Sequence, residues 1–88
     1  MKIKDTFQLV TVAGEHMVIP IGEQSVDFQA MITLNETGAL LWEKLQEEMS
    51  EEQLVCALTD VYEVGKEIAE GDVRKFLSIL RRKNILES

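Results

Sequence analysis

Between Ile32 and Leu45 the run ITLNETGALLWEKL changes its hydrophobic period at a single residue. Upstream, Val26, Phe28, Ala30, Ile32 and Leu34 alternate with Asp27, Gln29, Met31 and Thr33, the two-residue period of a half-buried strand. Downstream, Gly38, Leu41, Trp42, Leu45 and Met49 recur at spacings of three and four, which is one stripe of a helix. Asn35 stands at the switch, where its side chain suits an N-cap, and Glu36 complements the positive end of the helix that follows. Strands lie before this junction and helices after it, an order that points to an α+β arrangement with helices on one face of an antiparallel sheet.

The remaining elements fit around this junction. Residues 6–13 and 15–20 read as two strands, rich in β-branched and aromatic types in TFQLVTV and joined tightly at Ala13-Gly14-Glu15, and 26–34 is the third. The first helix is expected over 36–48. Ser50 and Gln53 have capping-box spacing, which predicts a second helix over 51–62 that buries Leu54, Ala57, Leu58 and Val61. Gly65 and its polar neighbours form the next connection. A third helix over 70–83 buries Val73, Phe76, Leu77 and Leu80, and Asn84 ends it before the apolar pair Ile85-Leu86. With 88 residues there is enough chain for one core. The expectation is a single domain over 1–88, α+β and winged helix-turn-helix-like, with a three-stranded antiparallel sheet followed by a three-helix bundle.

Little in the sequence carries chemistry. His16 and Cys56 are the only residues of their kinds, so neither a His/Cys catalytic pair nor a four-ligand zinc site can be assembled from them with a second partner of the same type, and no disulfide can form within the chain. His16 reads as an exposed strand residue and Cys56 as a small residue on the side of an amphipathic helix. The five glycines are scattered and form no phosphate-cradling loop. Glu47-Glu48 and Glu51-Glu52 read as a solvated helix boundary. No enzyme activity, metal or cofactor is expected. Nor does any run of about 18 apolar residues suggest a membrane span, and MKIKDTFQLV lacks a signal peptide's apolar core. A cytoplasmic protein fits these features.

A formal net charge of −7 argues against nucleic acid as a partner, yet five of the nine basic residues, Arg74, Lys75, Arg81, Arg82 and Lys83, fall within ten positions. At 100° per residue, Lys75, Ile79, Arg82 and Lys83 form a stripe beside the buried Phe76 and Leu80, placing an apolar Ile79 among cations. If the third strand lies at a sheet edge, its free N–H and C=O groups can accept an extended peptide. A groove between that edge and the stripe would suit a peptide with apolar anchors and acidic residues. Two other readings stand beside this one: an accessory subunit that stabilises an enzyme, with Leu40 on the outer side of the first helix as an interface residue, and a winged-helix DNA-binding protein using Arg74, Arg81 and Arg82. The same open edge would also permit a homodimer.

The segments ITLNETGALLWEKL, SEEQLVCALTDVYEV and GDVRKFLSILRRKNILE closely resemble the PqqD-like family, the precursor peptide recognition elements of ribosomally made, modified peptides. The similarity spans roughly residues 18–87. It is most specific at Leu34-Asn35-Glu36-Thr37-Gly38, followed by Asp72-Val73, Phe76-Leu77, Leu80 and Ile85-Leu86. Many relatives have glycine where this chain has Asn84, a residue that also tolerates the left-handed backbone. The resemblance implies a non-catalytic module. It would bind the leader of a precursor peptide as an added strand and present it to a modifying enzyme, frequently a radical S-adenosylmethionine enzyme. Carried over by position, the peptide site would comprise Val26, Asp27, Phe28, Gln29, Ala30, Met31, Ile32 and Thr33 on the third strand, with Lys75, Ile79, Arg82 and Lys83 on the third helix.

Overall fold

The computed structural model describes residues 1–21 and 32–87. Two short strands that the sequence did not announce, β1 (Lys2–Ile3) and β5 (Leu86–Glu87), pair antiparallel and bring the two ends of the chain together. Between them run β2 (Phe7–Val12), β3 (Glu15–Pro20) and β4 (Ile32–Leu34), then α1 (Glu36–Lys44), α2 (Glu51–Val61) and α3 (Lys66–Arg82). The sheet order is β2-β3-β4, antiparallel throughout, so three strands precede three helices as the periodicity predicts. The part of the expected third strand at 26–31 lies outside the described residues.

The β2–β3 hairpin closes through a two-residue loop. Val12 pairs with Glu15, and Ala13 and Gly14 both take positive φ, at 53° and 81°, as a type I′ turn requires. Along the strands, Phe7 and Leu9, then Val18, then Ile32 and Leu34 share the face turned to the helices. Leu41, Trp42 and Leu45 of the α1 segment, Leu54, Val55 and Leu58 of α2, and Ala69, Val73, Phe76, Leu77 and Leu80 of α3 meet them in one core, closed by Ile3, Ile85 and Leu86.

Each junction is closed by its own side chains. Asn35 Oδ1 accepts the Gly38 N–H at 2.8 Å, and Ser50 with Gln53 forms the full capping box. Asn84 adopts φ 57°. The N–H of Ile85 donates to the Leu80 carbonyl at 2.9 Å and that of Asn84 to Arg81 at 3.1 Å, the paired bonds of a Schellman ending. That turn aims Ile85 and Leu86 back into the core.

Four expectations need correction. First, α1 stops at Lys44 instead of 48, because the Leu45 carbonyl accepts the Ile3 N–H at 3.0 Å and Met49 donates to the Met1 carbonyl at 2.9 Å. The N-terminal segment thereby takes over backbone groups that a longer helix would use. Second, α3 starts at Lys66 and not at 70. The polar Lys66 and Glu67 beside Gly65 read as connection, but they form the first turn of the helix, where the Ala69 N–H donates to the Gly65 carbonyl at 3.1 Å and the Ala69 side chain is fully buried. Third, Val61 is 60% exposed and Ala57 only half-buried, while Val55 is buried with Leu54 and Leu58, so the buried stripe of α2 is turned toward Val55. Fourth, His16 is not an exposed strand residue; its side chain is 18% exposed and bonded on both sides, as described below. Among the described residues, no helix is long and apolar enough to cross a membrane.

Candidate functional site

The segment Asn35-Glu36-Thr37-Gly38 is where the sheet hands over to the helices, and each of its residues has a separate task. Besides Gly38, Asn35 Oδ1 accepts the Thr37 hydroxyl at 2.9 Å. Glu36 reaches back across the sheet end, accepting a bond from His16 Nε2 at 3.1 Å. A carboxylate can only accept, so Nε2 carries a proton, and Nδ1 on the other side of the ring is hydrogen-bonded to the Thr11 hydroxyl at 2.8 Å. Gly38 permits the closest approach: a Cβ there would lie 3.2 Å from Asn35 Oδ1 and 3.2 Å from Leu34 Cβ. These contacts seat the first turn of α1 directly on the end of β4.

Beside this seat runs a groove of about 510 Å³, lined by Thr33, Leu34 and Asn35 from the strand end, Thr37, Gly38 and Leu41 from α1, and Asp72, Lys75, Phe76 and Ile79 from α3. Its apolar floor, from Leu34, Leu41, Phe76 and Ile79, is continuous with the core. Among the described residues β4 has one neighbour, β3, and stands at the end of the sheet order. Among the described residues, the wall opposite α3 is therefore the unpaired side of β4.

The sequence-predicted residues divide three ways. Thr33, Lys75 and Ile79 line the groove together. Ile32 lies in β4 and packs against the core, while Arg82 and Lys83 are exposed at the C-terminal end of α3, beyond the lining. Val26, Asp27, Phe28, Gln29, Ala30 and Met31 lie outside the described residues. Sequence reasoning did not assign Gly38, Leu41, Asp72 and Phe76 to the site. Asp72 was findable, since it lies three residues before Lys75 on the same helical row.

The basic cluster also separates by role. Arg74 turns toward α2, with Glu70 at 3.6 Å and Glu51 at 3.9 Å, and Arg81 donates to the Met1 sulfur at 3.2 Å. Lys75, Arg82 and Lys83 make no ion pair among the described residues. Cys56 is an exposed free thiol on α2, away from the groove.

An apolar groove thus runs between β4 and α3 of an α+β chain. Residues 14–86 match the PqqD family, described as coenzyme PQQ synthesis protein D, and the chain belongs to that family. No curated protein matches it. Among solved structures, TbiB1 in complex with the TbiA(beta) leader peptide is similar over 100% of this chain and 96% of that one, at 27% identity and a TM-score of 0.77. Lasso peptide synthetase B1 complexed with the leader peptide is 20% identical over 99% of this chain and 96% of its own, with a TM-score of 0.74, and supports the fold alone.

Proposed function

We propose that this chain is a non-catalytic module that binds the leader segment of a ribosomally synthesised precursor peptide in the β4–α3 groove and presents it to a modifying enzyme. The observation that carries the reading is the placement of a strand edge beside an apolar groove, in a fold shared with a neighbour solved with a leader peptide bound. The peptide lies as an added strand along Ile32 and Thr33 of β4, with residues 26–31 assigned to the same site from the sequence, and its side chains meet Lys75 and Ile79, with Arg82 and Lys83 attracting acidic residues nearby. Main-chain bonds contribute about 0.5–1.5 kcal/mol each, so the apolar floor supplies most of the affinity. The enzyme served is of the radical S-adenosylmethionine type or another maturation enzyme, and the setting is cytoplasmic.

The accessory-subunit reading coexists with this one. The DNA-binding reading is weakened by the net charge of −7 and by the engagement of Arg74 and Arg81 within the domain. A calorimetric titration with the N-terminal half of the short peptide encoded beside this chain tests the proposal. Saturable binding at a ratio of one peptide per chain is expected. An absence of binding at high concentration contradicts it, and a chain that sediments as a dimer and releases no monomer to peptide shows the edge used for self-pairing instead.

A further inference from the structure

A second concavity, of about 630 Å³, lies on the other side of α1, between β2 and the α1–α2 pair. Its apolar surface is aromatic-rich, from Phe7, Trp42 and Tyr62, together with Leu9, Leu40 and the exposed Val61. Its charged rim is Glu36 and Glu43, with His16 held between Glu36 and Thr11, and no Lys or Arg lines it among the described residues. The surrounding field has the same sign: residues 36–63 contain eight acidic side chains and one basic, Lys44. The leader groove, by contrast, sets Lys75 beside Asp72 in its lining, with the exposed cations Arg82 and Lys83 at the end of α3 beyond it.

We propose that this cleft is a second docking site, for a segment of the modifying enzyme that presents Lys or Arg around an apolar anchor. The inference rests on the peptide-presenting reading above and adds the surface through which presentation occurs. Charge selects the partner. An acidic rim around aromatic and aliphatic groups repels a leader drawn by the cations at the end of α3 and attracts a basic segment, which keeps the two ligands on separate sites. Val61, a large apolar residue left open at the mouth of the cleft beside Tyr62, is placed to cover such an anchor. Reach permits both to be bound at once. The domain measures 40 × 31 × 19 Å, so peptide emerging from the groove needs about 12 extended residues at ~3.3 Å each to cross its longest dimension.

The test measures two affinities separately: that of a fluorescent leader for the chain alone, and that of the purified modifying enzyme encoded beside the chain, with and without leader. Glu43→Arg combined with Val61→Arg is expected to leave leader affinity unchanged and to weaken enzyme binding by more than about tenfold. Glu36→Gln, which removes a charge without adding bulk, is expected to weaken it several-fold. Glu52→Arg makes a charge reversal of the same size as Glu43→Arg outside the cleft and is expected to change neither affinity. Enzyme binding that survives the double variant overturns the proposal, as does an equal loss in Glu52→Arg, which would indicate a general field. A wild-type dimer dissolved by the double variant would place a second copy in the cleft and overturn it equally. Failure of the leader to bind counts against the reading above, while the cleft is judged on the enzyme titration alone.

Discussion

The β4–α3 groove and the β2–α1 cleft are built on opposite sides of one helix: Thr37, Gly38 and Leu41 face the first, and Glu36, Ala39, Leu40 and Glu43 the second. The groove offers a strand edge, an aliphatic floor with one aromatic ring and a lysine. The cleft offers three aromatic rings and carboxylates. A single cap, Asn35, fixes both, because it sets where α1 begins and therefore which residues turn to which side. The difference shows that one short helix is the common wall of two surfaces of unlike shape and charge.

Substitutions at the shared wall and on each side separate the two regions. Leu41→Ala removes a fully buried side chain that also floors the groove, and should cost about 2–5 kcal/mol in chemical denaturation, damaging both regions at once; a loss far below that range would mean that α1 is not held by this contact. Ile79→Asp acts on one side only. It should weaken leader binding by more than about tenfold while circular dichroism and the denaturation midpoint show a folded domain; unchanged affinity in a folded variant would remove Ile79 from the site. Lys75→Glu with Lys83→Glu should slow leader association several-fold and flatten its dependence on salt in stopped-flow traces, and a wild type already insensitive to salt would count against an electrostatic role. The smallest change is Gly71→Ala, where a Cβ meets nothing within 4 Å. It should stabilise the domain by about 0.5–1 kcal/mol without altering either affinity; any destabilisation would show that α3 is constrained at that turn in a way the open surface does not reveal.

Much of this was legible in the chain because it is local. The Asn35 cap, the Ser50–Gln53 box and the helical stripe carrying Lys75 and Ile79 follow from spacings of three and four residues. What escaped depends on distant partners. Strands of two residues such as Lys2–Ile3 and Leu86–Glu87 leave no period to read, and the bonds of Met1 and Ile3 to Met49 and Leu45 are what shorten α1. The early start of α3 was hidden by the polar Lys66 and Glu67 beside Gly65, which read as connection until packing at Ala69 is seen. The cleft was invisible for the same reason: Phe7, Leu40 and Tyr62 come from three elements, and only the fold brings them to one surface.

The central claim, that the leader occupies the β4–α3 groove, is tested most directly by a backbone amide NMR titration of the labelled chain with the leader half of the adjacent precursor peptide. The account predicts shifts concentrated at residues 26–34 and 72–83, with Gln8, Leu40, Glu43 and Tyr62 of the cleft unmoved. Shifts centred on the cleft, with Thr33, Lys75 and Ile79 unchanged at saturation, would contradict it.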